Sequence, residues 1–391
     1  MVFKIQTRNK ISPVGLDEFG RDDYEVASEI PGPDALLLRS YKLPLEEIGP
    51  TVKAVARAGA GVNNIPVDAC TERGIVVFNT PGANANSVKE LVIAALLLSA
   101  RRIHEGMNWV SAQAPDEELS KNVEKEKSSF AGTEIGGKSL GVVGLGAIGV
   151  LVANAAVELG MKVYGYDPFI SVAAAWGLSA KVKRCDSIDQ LMATSDYMTL
   201  HVPLTPDTEN LVNAERIKKA KKGLRILNFS RGGLVDRQAV KEALKDGTLS
   251  RYVTDFPAPE LLGVEGVLSI PHLGASTEEA EDNCAVMAAR QLKDFLENGN
   301  IVNSVNFPAC SLEPSGSSRL LVANRNIPNM LSQILEILAD GGLNVDEMVN
   351  RHRNGIAYNI IDVSGTCIND EAMKRIGAID GVVMTRQICR S

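Results

Sequence analysis

Short apolar runs alternate with helical patterns over most of the chain, from about Asp34 to about Ala275. In the first part of this region the pattern predicts strands at 35–38, 52–56 and 75–79 and a helix at 87–102. Ser87 and Glu90 have the spacing of a capping box, so we expect the helix to begin at Ser87. Strands that alternate with helices are typical of parallel sheets covered by helices, so the pattern predicts an α/β fold.

A polar, charge-rich stretch interrupts the alternation. Ser120–Lys127, followed by Gly136 and Gly137, predicts an exposed connection between two lobes. A second alternating block begins at Ser139, and a long amphipathic helix is predicted after it at Glu278–Asn298.

The last part of the chain has a different order of elements. The run Pro314–Ser318 predicts a linker, which we place at 309–318. Beyond it the pattern predicts a strand at 319–323, a helix at 329–340, strands at 344–351 and 356–363, a helix at 370–379 and a strand at 382–387. This βαββαβ order is typical of the ferredoxin-like fold.

A glycine-rich turn joins a predicted strand, Ser139–Val143, to a predicted helix at 147–159. Its glycines, in the spacing GxGxxG, are Gly144, Gly146 and Gly149. The first permits a tight turn, the second lets backbone approach a pyrophosphate, and the third lets the helix pack closely. The next strand ends at Asp167, where a carboxylate can bind ribose hydroxyls and repel a 2′-phosphate. The motif predicts a site for NAD rather than NADP, and a glycine-rich turn in an unrelated α/β protein is the alternative.

Polar side chains follow three apolar strands of the second block: Arg231, Asp255 and His272. Ligands of open α/β sheets bind outside the carboxyl ends of the strands, so these side chains are expected at one site. Oxidation of a 2-hydroxy acid by NAD needs a base for the hydroxyl proton, a cation for the carboxylate and an acid that orients the base. We assign these roles to His272, Arg231 and Glu260.

Histidine is scarce, with four in the chain, so the base has few competitors. His201 also follows a predicted strand and is the real alternative to His272. His104 and His352 lie beside arginines and are expected to be structural or exposed. We favour His272 because it has an acid nearby in sequence and a glycine, Gly274, that lets a cofactor approach.

Composition and charge narrow the classes of function. The net charge of −7 argues against broad attraction to nucleic acid or anionic membranes, so an anionic ligand needs clustered local donors. Met1–Leu16 has no apolar core of a signal peptide, and the longest apolar run, Leu91–Leu98, is too short to span a membrane. We therefore expect a cytoplasmic protein whose six scattered cysteines are free thiols, with no metal site.

Together these motifs resemble the D-isomer-specific 2-hydroxy-acid dehydrogenases. The resemblance covers nearly all of the first 308 residues; besides the glycine turn and Asp167 it rests on 201–204, 228–236, Asp255 with Glu260, and 271–277. The segments 57–64, 79–82 and 305–308 favour a member that oxidises D-3-phosphoglycerate with NAD. The resemblance implies two Rossmann-like doubly wound lobes with the active site between them.

The resemblance also implies further site residues. Contacts with NAD are expected from Ala147, Ile148, Val202, Pro203, Phe229, Ser230, Asp255, Gly274 and Ala275. Backbone amides at Ala58, Gly59, Ala60 and Gly61 are expected to hold the substrate carboxylate. The phosphate end would be lined by Arg39, Ser40, Arg57 and Asn84. The alternative for Arg39 and Arg57 is a pair of surface charges at strand ends.

The C-terminal block resembles an ACT domain, a small regulatory module that binds amino acids. Asn326 and Asn344 match amides that bind L-serine in such domains, while Asn329 stands where glycine is usual. Asparagine tolerates left-handed backbone angles, so the turn can survive the change. The alternative is a module used only for contact between subunits, in a homodimer or homotetramer.

The resemblance implies a discontinuous substrate lobe at 1–96 with a return segment at 284–308, an inserted NAD-binding domain at 97–283, the linker, and a regulatory domain at 319–391. The first alternative is another D-2-hydroxy-acid dehydrogenase, acting on hydroxypyruvate, glyoxylate or D-lactate. An NAD-sensing corepressor is the alternative from another class.

Overall fold

The computed structural model describes residues 2–365 and 367–389. The chain divides into two compact units, Met1–Ala83 with Glu278–Ser391, and Asn84–Thr277. The second unit is thus inserted into the first. Its boundaries differ from the predicted ones, because the predicted change at residue 96 falls inside a helix.

The helices and strands alternate along the chain as the sequence pattern predicts. The first segment contains β1 (Phe3–Arg8), α1 (Pro13–Leu16), β2 (Tyr24–Ala27), β3 (Ala35–Leu38), β4 (Ala54–Arg57), α2 (Val67–Glu72) and β5 (Val76–Phe78). The inserted unit contains α3 (Ala85–Ala100), α4 (Ile103–Ser111), α5 (Leu119–Glu126), β6 (Ser139–Val143), α6 (Ala147–Glu158), β7 (Lys162–Tyr166), α7 (Val172–Gly177), β8 (Lys183–Arg184), α8 (Ile188–Thr194), β9 (Tyr197–Leu200), α9 (Ala214–Ile217), β10 (Leu224–Asn228), α10 (Arg237–Lys245), β11 (Leu249–Thr254) and β12 (Val267–Ser269). The last segment contains α11 (Glu278–Asn298), β13 (Ser318–Arg325), α12 (Met330–Asp340), β14 (Val345–Arg353), β15 (Ile356–Val363), α13 (Asp370–Gly377) and β16 (Val382–Cys389).

Both units contain a parallel, doubly wound sheet. The first unit has the strand order β2-β1-β3-β4-β5 and the second has β12-β11-β10-β9-β6-β7-β8. The second order is that of a Rossmann sheet with one added edge strand. The predicted α/β class is confirmed.

The C-terminal segment folds as the predicted βαββαβ unit, with an antiparallel sheet of order β14-β15-β13-β16. One face of this sheet packs on α12 and α13. Side chains of the other face, including Leu321 and Tyr358, belong to the same core as the first parallel sheet and α11. The C-terminal sheet and the first parallel sheet therefore share one hydrophobic core.

A buried ion pair secures this junction. The Arg319 guanidinium binds the Asp362 carboxylate at 2.6 and 2.7 Å and donates to the carbonyl of Asn298, at the end of α11. The predicted linker also packs here, because Ser315 donates to Asp362 and Ser318 is fully buried in β13. Removal of either partner of such a pair leaves an uncompensated buried charge, which costs about 3–5 kcal/mol.

Three expectations about local structure are wrong. Helix α3 begins at Ala85 with Asn84 at its N-cap, and the Ser87 hydroxyl donates instead to the carbonyl of Gly274 at 2.8 Å. The polar stretch Ser120–Lys127 has no buried residue, as expected, but it lies within the second unit rather than between two lobes, and most of it is helical, in α5. Cys367 and Cys389 form a disulfide, because β16 returns to the start of α13, and this contradicts the expectation that all cysteines are free.

Candidate active site

The parallel order of the second sheet brings the ends of six strands to one edge. The chain leaves β6 through the glycine turn and leaves β9 at His201, and these two strands are neighbours. Strand order reverses between them, so this is the position where ligands bind in such sheets. The other loops of the edge carry Asp167, Arg231, Asp255 and His272.

The glycine turn has the geometry that its spacing predicts. Gly144 has φ +88°, and a Cβ on Gly149 would lie 1.9 Å from the carbonyl oxygen of Gly144. A Cβ on Gly146 would meet no atom within 4 Å, so open space lies over the turn. Helix α6 begins directly afterwards, with Ala147 and Ile148 in its first turn. Free helix N-terminal amides beside open space fit a pyrophosphate.

Asp167 is held by the backbone of its own edge. Its carboxylate accepts hydrogen bonds from the amides of Leu145 and Phe169, both at 2.8 Å. The first contact ties the end of β7 to the glycine turn. The carboxylate therefore sits beside the turn, as a ribose-binding acid requires.

The loops after β9 and β10 hold each other. The Ser230 hydroxyl donates to the carbonyl of Val202 at 2.5 Å, and Phe229 is buried beneath. Asn228, fully buried, donates to the carbonyl of Arg231 at 2.9 Å and accepts from the amide of Ser230 at 3.2 Å. Sequence reasoning missed this role of Asn228, although an amide side chain at the end of an apolar strand is a usable signal.

The charges of Arg231 and His272 act on the carboxyl group of Asp255. Asp255 is 1% exposed, and neither carboxylate oxygen has a hydrogen-bond partner among the described residues. Burial raises the pKa of Asp255, while the charges of His272 and Arg231 oppose that rise. The His272 ring lies exposed, edge-on to the ring of Phe256 with centroids 4.8 Å apart. The edge thus holds a buried acid whose neighbours are the proposed base and cation.

Glu260 does not make the contact that its assigned role requires. Its carboxylate pairs with Arg237 at 2.9 Å, and its own backbone amide and Arg237 together lower its pKa. The acid whose ionisation responds to His272 is Asp255. Sequence spacing placed Glu260 near His272 but gave no sign of Arg237, which lies on α10.

His201 is poorly suited to be the base. Its Nε2 lies 3.0 Å from the Thr199 hydroxyl, inside the sheet edge. Burial lowers the pKa of His201 to about 4, so the imidazole stays neutral near pH 7. A Cβ on Gly144 would lie 2.7 Å from the carbonyl oxygen of His201, so the backbone of His201 packs against the glycine turn.

In the first unit, the predicted phosphate-binding arginines follow β3 and β4. Arg39 forms an ion pair with Glu281 of α11 at 2.6 Å. Arg57 donates to the carbonyls of Arg39, at 2.9 Å, and Gly61. Both guanidinium groups are engaged within the unit, and the pairing with Glu281 was not predicted because α11 is distant in sequence.

The four backbone amides of the loop after β4 differ in whether they already donate a hydrogen bond. Those of Ala58 and Gly59 already donate, to the carbonyls of Leu38 and Arg57. Those of Ala60 and Gly61 donate to no atom of the described residues. Of the four predicted carboxylate-binding amides, these two are available to donate hydrogen bonds to an anion.

Other predicted positions have these surroundings. The Ser40 hydroxyl accepts from Asn9 at 3.1 Å, and Asn84, the N-cap of α3, belongs to the second unit. Asn326 lines a cavity of about 160 Å³ in the C-terminal sheet, whereas the Asn344 amide donates to Asp346 at 3.3 Å. Asn329 has φ +68°, so the left-handed turn persists without glycine.

The described residues contain neither a metal-binding cluster nor a membrane-spanning helix. No group of three or more His, Cys, Asp or Glu side chains there is arranged to hold a metal ion. None of the helices in that part of the chain combines the length and apolarity needed to cross a bilayer.

Comparison with known proteins identifies the family. Residues 93–274 match the NAD binding domain of the D-isomer specific 2-hydroxyacid dehydrogenases, so the second unit carries an NAD-binding domain. D-3-phosphoglycerate dehydrogenase of Haemophilus influenzae is 34% identical over 354 residues, covering 87% of this chain and 82% of that protein. The chain therefore belongs to the D-isomer specific 2-hydroxyacid dehydrogenase family.

Other relatives carry the same name. D-3-phosphoglycerate dehydrogenase of Synechocystis is 38% identical over 325 residues, which span 78% of this chain and 56% of that protein. The crystal structure of NAD+-bound 3-phosphoglycerate dehydrogenase from Entamoeba histolytica superimposes with a TM-score of 0.60 at 26% identity, covering 78% of this chain and 99% of that one. The chain thus spans little more than half of the Synechocystis protein and nearly all of the Entamoeba fold.

Proposed function

We propose that this protein oxidises D-3-phosphoglycerate to 3-phosphohydroxypyruvate with NAD, the first step of phosphorylated L-serine synthesis. The observation that carries the proposal is the position of Arg231, the buried Asp255 and His272 after three neighbouring strands, at the edge that also holds the glycine turn. Relatives named D-3-phosphoglycerate dehydrogenase supply the choice of substrate.

Each group of the second unit has a chemical task. Bound NAD supplies the hydride acceptor, and the glycine turn with Asp167 would hold its pyrophosphate and ribose. His272 takes the hydroxyl proton as the C2 hydrogen leaves as hydride, so that the alcohol becomes a ketone. Arg231 binds the substrate carboxylate and polarises the forming carbonyl. Asp255 stabilises the protonated imidazole, a task first assigned to Glu260, which pairs with Arg237.

The first unit would supply the substrate-binding groups. The amides of Ala60 and Gly61 are the donors for the carboxylate. Arg39 and Arg57 provide the positive charge for the phosphate, which an acidic protein must concentrate locally. Phosphate then replaces Glu281 as the partner of Arg39.

That ion pair favours a second candidate. With Arg39 neutralised by Glu281, an unphosphorylated acid such as hydroxypyruvate would need no exchange of partners. We propose to separate the two with NADH oxidation on a panel of 2-oxo acids. A kcat/KM for 3-phosphohydroxypyruvate at least about tenfold above that for hydroxypyruvate supports the first, and the reverse order supports the second. No turnover on any acid, with tight NADH binding, would support a corepressor.

The C-terminal unit would act as an ACT-like regulatory module. Its βαββαβ order and the left-handed turn at Asn329 support this proposal. L-serine is the candidate effector, and subunit contact in a homodimer or homotetramer is the alternative role. Inhibition by L-serine that is lost in Asn326→Ala supports regulation, whereas unchanged rates with serine support the contact role.

A further inference from the structure

The first unit contains a cationic cavity at the junction of its two sheets. The cavity, of about 350 Å³, lies between the loops before β3, β4 and β5 and the strand β16. Its charged lining residues are Asp34, Lys53, Arg73 and Arg386. Its size is at the lower end of the range for small-molecule sites. A Cβ on Gly74 would lie 2.6 Å from the Cβ of Met384, so the two walls are in contact.

Asp34, the one acidic residue among those that line the cavity, is already bound to other groups of the protein. The Asp34 carboxylate forms an ion pair with the Lys53 ammonium and accepts from the amide of Lys4 at 2.8 Å. Arg73 donates to the carbonyls of Ile48 and Gly49, at 2.7 and 3.2 Å. Neither Arg73 nor Arg386 has a carboxylate partner among the described residues. The cavity therefore has two positive charges in excess, within a chain whose net charge is −7.

Arg386 is the group that most needs an anion. Its guanidinium lies over the Phe295 ring, 4.5 Å from the centroid, and donates to the carbonyls of Phe295 and Leu296. Its Nε is buried and has no partner in the described part of the chain. Burial lowers the pKa of Arg386, and the Asp34 carboxylate, which is paired with Lys53, opposes this change only in part.

A purely structural role explains only part of this arrangement. The contact with the last carbonyls of α11 compensates the negative end of that helix. It leaves Nε unsatisfied and gives no reason for Arg73 and Lys53 to face the same cavity.

We propose that this cavity binds a small dianion, the phosphate group of inorganic phosphate or of a phosphate ester, independently of the dehydrogenase site. Guanidinium groups bind phosphate through paired, charge-assisted hydrogen bonds, and two of them with an ammonium match a dianion. Such a ligand contacts both the loops of the first sheet and β16. Binding of the ligand therefore stabilises the packing of the C-terminal sheet against the first parallel sheet.

Isothermal titration of the full chain with inorganic phosphate tests the proposal. Arg73→Gln is expected to weaken one binding event about tenfold, the loss of one charged hydrogen bond. Arg73→Lys, which keeps the charge, should restore part of the affinity. Arg375→Gln, which removes a cation of α13 that is paired with Asp340 of α12, should leave that event unchanged. An unchanged isotherm in Arg73→Gln, or loss of all phosphate binding in Arg39→Gln, overturns the proposal.

A second pair of variants leaves the arginines in place, and both members lose the same native contact, the hydrogen bond from the Thr51 hydroxyl to the carbonyl of Pro33. Thr51 lines the cavity and is exposed, so Thr51→Asp adds a negative charge there and Thr51→Asn is its neutral isostere. Phosphate binding should be lost in the first and kept in the second. Glycerol 3-phosphate separates the sources: tighter binding than phosphate indicates an ester, and weaker binding indicates the free ion. Equal binding of acetate contradicts the requirement for a dianion.

Discussion

The charged groups at the two parallel sheets differ in whether they already have bonding partners within the protein. At the edge of the second sheet, Asp255 is buried, neither of its oxygens has a hydrogen-bond partner in the described part of the chain, and the charges of His272 and Arg231 act on it. In the first unit, Arg39 is paired with Glu281, and Arg57 is bonded to backbone carbonyls. The proposed hydride-transfer groups are thus preorganised at a cost in stability, whereas the proposed phosphate-binding groups must exchange partners when a ligand arrives.

The largest effect is expected at the proposed base. His272→Ala should lower turnover about a hundredfold to ten-thousandfold, because no group accepts the hydroxyl proton, while NADH binding persists. His352→Ala, at an exposed histidine on β14, is the matched control. Steady-state rates and NADH fluorescence titration measure both properties. Normal turnover in His272→Ala would remove this histidine from the mechanism.

Asp255→Asn should separate activity from stability. Turnover should fall about ten- to hundredfold, since the imidazolium loses its charged neighbour. Burial raises the pKa of Asp255, so above the ordinary aspartate range the folded protein retains a proton that the unfolded chain has released. That carboxyl therefore destabilises the fold near pH 7 and ceases to do so below about pH 4.

The variant should accordingly raise Tm by about 2 °C at pH 7, and the gain should fade in acid. Thermal unfolding at several pH values measures this. A lower Tm at pH 7 would mean that His272 and Arg231 more than offset the burial of the charge.

Asp167 lies in the same unit as Asp255, but its carboxylate accepts hydrogen bonds from two backbone amides, whereas that of Asp255 has no hydrogen-bond partner among the described residues. Asp167→Ala should reduce the preference for NAD over NADP about tenfold, because the repulsion of the 2′-phosphate is lost. Asp186→Ala, which removes an exposed acid paired with Arg184, is the control. The ratio of kcat/KM values for the two cofactors is the measurement, and an unchanged ratio would exclude the assigned contact.

The smallest effect is expected in the first unit, where Arg39 is already paired with Glu281. Glu281→Gln frees Arg39 and should lower KM for 3-phosphohydroxypyruvate about threefold, the scale of an exposed ion pair. The KM for hydroxypyruvate should not change. Glu279→Gln, a neighbour on α11, is the control. Equal changes for both substrates would show that Arg39 does not contact the phosphate.

The sequence predicted the elements that have a strong period or a defined motif. Helix α11 has the predicted bounds, and the glycine turn has the predicted geometry. Strand β1 was missed because four of its six residues are polar, and β2 because it has only four residues. Helix α5 was missed because six of its eight residues are polar or charged.

The site was predicted as a set of strand ends but not as a set of contacts. Strand ends follow from the order of apolar runs, so Arg231, Asp255 and His272 were found. Partners such as Arg237 for Glu260 and Glu281 for Arg39 come from other elements and depend on side-chain geometry. The same holds for Cys367 and Cys389, which the fold of the C-terminal sheet brings together.

Transfer of the C2 hydrogen is the central chemical claim, and an isotope experiment measures it directly. D-3-phosphoglycerate deuterated at C2 is incubated with the protein and NAD in ordinary water, and the NADH is analysed by mass spectrometry. The account predicts one deuterium in each NADH formed, with 3-phosphohydroxypyruvate in equal amount. NADH without deuterium, or no NADH from this substrate, would contradict it.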